Sequence, residues 1–285
     1  MDTAATKDRP TLLDRPSIEI TAKDSEALVA AAPRLTPGTS VNVTYLGGED
    51  TVARVAASAV TRQLGFRPVP HLSARRITAE VELVTALSSL EQVDAAEEVF
   101  VVGGDPTTPH GPYADALALL DTGLLPSYGV RRVGITGYPE GHPHIFPTPL
   151  WSALEAKVAS AAAQNLEVSI TTQFGFDAAA VAEWIAEVRR RGITAPVRVG
   201  VPGPASVRRL LGYARRFGVK SSAGIVGKYG ISLANFVGSA GPDRFLDSLE
   251  ELLTPEHGRV AVHLYTFGGI EATASWMAAR QGART

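Results

Sequence analysis

The chain has 285 residues, 45% of them apolar and 20% charged, so it can bury a sizeable core, and its formal net charge of -2 does not indicate a nucleic-acid or anionic-membrane partner. It contains no cysteine, which excludes disulfides, thiolate catalysis, cysteine-ligated zinc and iron–sulfur clusters. No apolar run approaches the roughly 20 residues needed to span a bilayer. Residues 1–16 are polar and lack the apolar core of a signal peptide. We therefore expect a cytoplasmic protein without nucleic-acid or membrane partners and with a flexible N-terminal tail over residues 1–16.

Eight short segments rich in Val, Ile and Thr alternate with helical patterns. The predicted strands cover residues 17–21, 40–46, 69–73, 98–104, 131–137, 167–173, 196–201 and 259–266. The predicted helices cover residues 24–33, 50–65, 78–93, 112–124, 148–164, 178–192, 205–217 and 269–282. Largely apolar strand runs indicate parallel strands that are buried on both faces. The alternation predicts an α/β fold, a single-domain (β/α)8 TIM barrel over residues 17–285, with its chemistry at the carboxyl ends of the strands.

The connection between the seventh and eighth strands is too long for one helix. Extra helices are predicted there, at residues 231–239 and 242–253. Before them, the glycine-rich residues 223–230 form either a mobile lid over the barrel mouth or a simple connection.

The first strand contains one carboxylate in an otherwise apolar run. Because side chains alternate along a strand, Glu19 points either into the barrel or toward the helices. A carboxyl group turned inward near the mouth is desolvated and can stay protonated near neutral pH, which suits a proton donor. The alternative is a structural glutamate that is paired with a basic residue.

Two other strand ends carry polar residues. Asp105 follows two glycines after the fourth strand, and its proline-stiffened loop favours binding, although Asp-Pro turns also occur for shape alone. Gln173 ends the sixth strand, where its amide can make a two-point hydrogen bond to a ring edge. Phe174 and Phe176 follow, and they either offer a stacking face or only cap the core.

Two histidines follow the fifth strand. His142 and His144 look like a metal pair, but two neighbouring histidines without a third matched ligand are weak evidence for zinc or iron. The sequence has no Walker A loop, Gly-x-Ser-x-Gly elbow or His-Glu-x-x-His helix. We therefore expect no metal site.

Taken in order, these strand-end motifs resemble the catalytic barrel of 5,10-methylenetetrahydrofolate reductases. The matching motifs are Ser17-Ile18-Glu19-Ile20, Val43-Thr44-Tyr45, Pro70-His71-Leu72, Gly104-Asp105-Pro106, Tyr138-Pro139-Glu140-Gly141-His142-Pro143, Ile170-Thr171-Thr172-Gln173-Phe174-Gly175-Phe176-Asp177 and His263-Leu264-Tyr265-Thr266. The resemblance implies reduction of 5,10-methylenetetrahydrofolate to 5-methyltetrahydrofolate, a step of one-carbon metabolism and methionine biosynthesis, with NADH or NADPH as hydride donor.

The resemblance also implies roles for individual residues. Glu19 is the expected general acid, Asp105 the expected carboxylate that binds the pterin and tunes the hydride centre, and Gln173 a second pterin-binding residue. Phe176 and Tyr138 are expected to border the ring system. The expected cofactor-binding residues are Thr44, His71, Tyr113, Tyr138 and His142.

The departures from the family pattern concern the flavin. Gly103 stands where flavin-dependent members have an arginine, and Ala156-Lys157 stands where they have an Arg-Lys pair. The loss of two cations weakens a diphosphate site. The resemblance extends to a branch described as flavin-independent, so we predict direct hydride transfer without FAD. The same reaction through bound FAD is the first alternative, and a folate-binding or methyl-transfer barrel without redox activity is the second.

Two properties stay open at this point. Arg75, Arg76, Arg208 and Arg209 could meet the extra phosphate of NADPH, but exposed arginines are usually only solvated, so the choice between NADH and NADPH is not settled. The oligomeric state is not indicated by any feature of the sequence.

Overall fold

The structure is a computed structural model, and it describes residues 12–216 and 239–283. Ten strands are found in these ranges: β1 (Ser17–Ile20), β2 (Ser40–Val43), β3 (Arg67–Ser73), β4 (Glu98–Val102), β5 (Arg132–Gly137), β6 (Glu167–Thr172), β7 (Val197–Pro202), β8 (Ala205–Ser206), β9 (Ser239–Ala240) and β10 (Val260–Tyr265). Eight of them close into a parallel barrel in the order β1-β10-β7-β6-β5-β4-β3-β2, and β8 and β9 form a separate antiparallel pair. The predicted (β/α)8 barrel is confirmed.

Helices follow the barrel strands as the alternation predicts. They are α1 (Ser25–Ala31), α2 (Thr51–Gln63), α3 (Glu80–Gln92), α4 (Ala116–Leu120), α5 (Pro147–Ala163), α6 (Ala178–Arg190), α7 (Val207–Arg216), α8 (Asp243–Leu252) and α9 (Ile270–Gly282). Local side chains fix several starts: Asp50 caps α2, and Asp177 accepts from the backbone of Ala179 and Ala180 at the start of α6. None of the described helices combines the length and apolarity that crossing a bilayer requires.

The barrel strands are largely buried on both faces, as their apolar runs predict. In β1, Ile18 and Ile20 are buried in the apolar cluster that includes the helix residues Leu28 and Ala57, whereas Glu19 lies on the opposite face of the strand. The barrel wall therefore has an apolar outer face and an interior in which the polar side chains of the strands meet.

The packed chain begins before residue 17. Leu12 and Leu13 are buried, the carbonyl of Leu12 accepts from the backbone N–H of Val262, and that of Leu13 accepts from the side chain of Gln281. Residues 12 and 13 are thus part of the barrel and not of the flexible tail that was predicted for residues 1–16. Residues 1–11 lie outside the described ranges.

The helices differ from the prediction in two places. The fourth is only Ala116–Leu120 and not residues 112–124, because the Asp115 side chain caps it late and Gly123, with φ +69, follows soon after its end. The second extra helix is confirmed as α8, but residue 239 belongs to β9 and not to a helix. The rest of the predicted helix at 231–239 and the glycine-rich stretch 223–230 lie outside the described residues.

Candidate active site

Glu19 points into the barrel, which settles the orientation that the sequence left open. Its Oε2 lies 3.9 Å from Nε2 of His71 on β3 and 3.7 Å from Nε2 of His263 on β10. Both separations exceed hydrogen-bond length, and the glutamate side chain keeps 21% of its exposure. The carboxyl group thus lies between two imidazoles at the mouth and is not held in a tight pair with a cationic side chain, as the structural alternative would require.

His71 is a neutral neighbour of Glu19. Burial lowers its pKa to about 4, and this effect outweighs the opposing attraction of Glu19. The amide nitrogen of Asn42 lies 3.2 Å from Nε2 of His71. Because an amide NH2 only donates, Nε2 accepts and the ring proton lies on Nδ1. His71 therefore adds no positive charge beside Glu19 near neutral pH.

His263 faces Glu19 from the other side. Its Nδ1 lies 2.9 Å from the hydroxyl of Ser17, whereas its buried Nε2, the atom nearest Glu19, has no hydrogen-bond partner. The ring of Tyr265 packs edge-on against it at 4.8 Å, and the Tyr265 hydroxyl donates to the carbonyl of Thr172. An imidazole held at one nitrogen and unpaired at the other is placed to interact with the Glu19 carboxyl group.

Asp105 lies in the loop after β4 and is held by an arginine. Nε and Nη2 of Arg76 donate to its two carboxylate oxygens at 2.8 and 2.6 Å. The Arg76 side chain is 17% exposed, whereas the Asp105 side chain is 75% exposed. One side of the Asp105 carboxylate therefore remains open to a ligand. The preceding Gly104 has φ +93, and a Cβ there would lie 2.3 Å from Oγ of Ser73. Only glycine fits this turn into Asp105.

The loop after β6, residues 173–177, carries Gln173 and the two phenylalanines. The Gln173 side-chain oxygen accepts from the backbone N–H of Phe174 at 3.0 Å. Phe174 and Phe176 are 2% and 1% exposed and pack edge-on at 6.0 Å. Their burial agrees with the core-capping interpretation. Contact between Phe176 and a ligand would require the ring to move, and the ligand-binding roles of Gln173 and Phe176 remain predictions.

The expected cofactor-binding residues lie along the neighbouring strand ends. Thr44 directly follows β2, and its backbone N–H donates to Ile20. Tyr113, after β4, is buried, and its hydroxyl has no hydrogen-bond partner. Tyr138 and His142 pack edge-on at 5.1 Å in the loop after β5, residues 138–144. Burial raises the pKa of Tyr138 and lowers that of His142, so both side chains are uncharged near neutral pH.

His142 and His144 do not converge on a common point. The ring centroids are 6.0 Å apart at an angle of 69°, and Nδ1 of His142 accepts the backbone N–H of His144. Within residues 12–216 and 239–283, no group of three or more histidine, aspartate or glutamate side chains is close enough to hold a metal ion.

A cavity of about 280 Å³ lies between the loop after β5 and helices α5 and α6. Tyr138 and Glu140 border it on the loop side. On the helix side, Trp151 and Trp184 stack with centroids 5.6 Å apart and form an aromatic wall. The cavity is mainly apolar with few polar groups, as small-molecule sites usually are.

The family model for methylenetetrahydrofolate reductase matches residues 20–277, which is nearly the whole barrel and all of the strand ends described above except residues 17–19. The chain belongs to the methylenetetrahydrofolate reductase family. Membership supports a folate-related oxidoreductase.

Two solved structures are similar to this member of the family. An uncharacterised protein from Clostridium thermocellum that binds two copies of 5-methyl-5,6,7,8-tetrahydrofolic acid has a TM-score of 0.59 and 12% identity, over 95% of this chain and 98% of that one. Dihydropteroate synthase from Thermus thermophilus has a TM-score of 0.49 and 14% identity, over 95% of each chain. At such low identity, the first similarity establishes a shared fold alone.

The residues of this family member fit a flavin diphosphate poorly. A Cβ on Gly103 would meet no atom within 4 Å, so the space beside Asp105 has no side chain in it. Lys157 is buried and donates to Oγ1 of Thr136, and burial lowers its pKa to about 8. Arg75 donates to the carbonyls of Ala114 and Pro106, and Arg76 is paired with Asp105. Gly103 thus offers no cation, Lys157 and Arg76 are already engaged, and Arg75 uses Nε and Nη1 on backbone carbonyls, so these positions offer few donors to a phosphate.

Four residues of the site make contacts that the sequence interpretation did not anticipate. Arg76 holds Asp105, Glu140 joins two loops, and His263 and Tyr265 stand beside Glu19. Three of them lie inside family-like motifs, so the motifs themselves were the available signal. Arg76 gave a different signal, since it is one of a pair of arginines at a strand end, but the sequence cannot tell which carboxylate it meets.

Proposed function

We propose that the protein reduces 5,10-methylenetetrahydrofolate to 5-methyltetrahydrofolate by hydride transfer from NADH or NADPH, directly and without bound flavin. The observation that carries the proposal is the placement of Glu19, a carboxyl group turned into the barrel mouth between His71 and His263, in a chain of the methylenetetrahydrofolate reductase family. A cytoplasmic location is part of the same proposal.

The proposed chemistry needs a proton donor at the methylene bridge. Protonation of the bridge nitrogen by Glu19 breaks the ring C–N bond and leaves the methylene carbon as an iminium on the other nitrogen. Hydride transfer from the dihydronicotinamide to this carbon forms the methyl group and yields the oxidised nicotinamide. Burial lowers the pKa of His71 to about 4, so this neighbour places no cation beside Glu19 near neutral pH.

The remaining residues bind and orient. The open side of the Asp105 carboxylate suits the N–H groups of a pterin edge, and the Gln173 amide suits a second such contact. Tyr138 and His142 are both uncharged, and we assign the nicotinamide to a position beside these two rings, in the barrel mouth next to the loop after β5. Most of the catalytic effect would come from holding the two carbons that exchange the hydride in close contact.

The deciding experiment is anaerobic oxidation of NADH and of NADPH with 5,10-methylenetetrahydrofolate, with and without added FAD. The absorption spectrum of the purified protein is recorded first. Colourless protein that is active without FAD supports the proposal. Yellow protein, or activity only with FAD, supports the flavin-dependent route, and the better donor identifies the nicotinamide.

Glu19→Gln separates the reductase from a folate-binding barrel without redox activity. The substitution preserves shape and removes the proton donor, so kcat should fall by about 10²- to 10⁴-fold while folate affinity is retained. The Clostridium thermocellum neighbour, which binds 5-methyltetrahydrofolate, makes the non-redox function a real second candidate. Folate binding by wild-type protein with no nicotinamide oxidation would establish that candidate and exclude the reductase.

A further inference from the structure

Glu140 joins the two loops that flank the candidate site. It lies in the loop after β5, two residues from Tyr138 and two from His142. Its Oε1 accepts from the backbone N–H of Phe176 at 2.7 Å and from that of Asp177 at 3.0 Å, in the loop after β6. A carboxylate of one loop is thus bonded to two consecutive amides of the other.

Glu140 also interacts with the start of a helix. Phe176 and Asp177 directly precede α6, a helix of 13 residues, so the carboxylate lies at the positive end of the helix dipole. Hydrogen bonds from amides to an ionised carboxylate are among the stronger ones in proteins. Asp177 cannot replace Glu140 here, because its own side chain already caps α6 at Ala179 and Ala180.

The contact leaves no room for a side chain at Gly175. A Cβ on Gly175 would lie 2.5 Å from Oε1, and the three atoms nearest to it all belong to Glu140. The glycine therefore allows the carboxylate to reach the two amides. It also offers a way to break the contact from the opposite loop.

We propose that Glu140 is a positioning residue that fixes the nicotinamide-side loop, with Tyr138 and His142, relative to the folate-side loop, with Gln173 and Phe176. The inference rests on the proposed function for the identity of the two ligands. A hydride donor and acceptor must meet at close contact, so the two loops have to be held in register. Breaking this one contact should therefore weaken the binding of both ligands.

The first experiment compares Glu140→Ala and Glu140→Gln with the control Glu271→Ala, a 61% exposed carboxylate paired with Arg34. Binding of NADH and of 5-methyltetrahydrofolate is measured by calorimetry, and KM and kcat by nicotinamide oxidation. We expect Glu140→Ala to raise Kd and KM for both ligands about 10-fold or more. Glu140→Gln, which keeps an acceptor oxygen, should stay within about threefold of wild type. Unchanged constants in Glu140→Ala, or a rise for one ligand only, would overturn the proposal.

The second experiment is a double-mutant cycle with Gly175→Ala. Alone, Gly175→Ala should raise both constants as much as Glu140→Ala does, because the new methyl group displaces the carboxylate. The double variant should be no worse than either single one, since the atoms that clash are gone. Gly212→Ala, where a Cβ meets nothing within 4 Å, is the matched control. Additive losses in the double variant would refute the coupling.

The outcomes for this inference and for the proposed function are distinct. If wild-type protein binds both ligands but transfers no hydride, the proposed reaction fails, and the Kd ratios still decide the role of Glu140. If wild-type protein is active and the Glu140 variants match it, only the positioning role fails. If wild-type protein binds neither ligand, both are overturned.

Discussion

Replacement of Arg76 by methionine should weaken folate binding with little effect on stability. Methionine keeps the apolar stem but removes both hydrogen bonds to Asp105. Because that carboxylate is 75% exposed, solvent screens the pair, and its loss should lower the free energy of unfolding by no more than about 1 kcal/mol. In the proposed site, the freed Asp105 side chain would instead have to be ordered by the folate, at a cost of about 0.5–1.5 kcal/mol. This corresponds to a rise in the folate KM of about 2- to 12-fold at nearly unchanged kcat.

The assay is steady-state nicotinamide oxidation at saturating donor and varied 5,10-methylenetetrahydrofolate, together with urea unfolding of each variant. Arg34→Met is the matched control, because it breaks the Arg34–Glu271 pair, whose two partners are both exposed. Arg76→Lys should recover part of the affinity, since it restores the charge but not the fork of two donors. A folate KM equal to that of wild type in Arg76→Met, with Arg76→Met as stable as the control, would refute the assignment.

Three further predictions concern stability and pH. The pKa of His71 falls from 6.5 in the unfolded chain to about 4 in the folded protein, so between these pH values the unfolded chain binds one more proton than the folded protein. The free energy of unfolding should therefore drop by about 2 kcal/mol from about pH 7 to about pH 5. Urea titration at both pH values measures this drop, which should be smaller in His71→Gln. Lys157→Met removes a buried amine whose pKa burial lowers from 10.5 to about 8. In chemical denaturation at neutral pH, this variant should be more stable than wild type by up to about 3 kcal/mol. Its Tm should rise as well, and a lower Tm would contradict the prediction. Leu13→Ala should lower the free energy of unfolding by about 2–5 kcal/mol, because Leu13 is buried. No measurable loss of stability would mean that residues 12 and 13 belong to the flexible tail.

The barrel could be predicted because each of its strands can be recognised from a short stretch of sequence. Each strand is a short apolar run of β-branched residues between polar boundaries, and the order of such runs determines the topology. The two failures have different causes. Leu12 and Leu13 are two apolar residues in a polar segment, and only the contact with Val262 on β10 shows why they are buried. The fourth helix was predicted too long because apolar residues continue on both sides of it, before the N-terminal cap at Asp115 and after Leu120.

The sequence suggested individual residues of the candidate site, whose roles stay predictions, but not the contacts between them. Glu19 stands out in the sequence because it is a carboxylate within an apolar strand, and Asp105 because it is a carboxylate that follows a strand. Glu19 lies between two imidazoles, and Asp105 is held by Arg76. Both contacts involve residues that are far apart in the chain. The same holds for Glu140, whose partners lie 36 and 37 residues away. Side-chain partners across a barrel mouth follow from three-dimensional geometry, which a single sequence does not contain.

The stacked pair Trp151 and Trp184 has a practical consequence. The chain contains three tryptophans, and two of them line the cavity beside the loop after β5, while the third, Trp276, is bonded to Asp243 in a different part of the barrel. Indole emission overlaps the absorption of reduced nicotinamide but not that of the oxidised form. The protein thus carries its own optical reporter, and quenching of its intrinsic fluorescence should follow the arrival of the hydride donor and its oxidation without any added label.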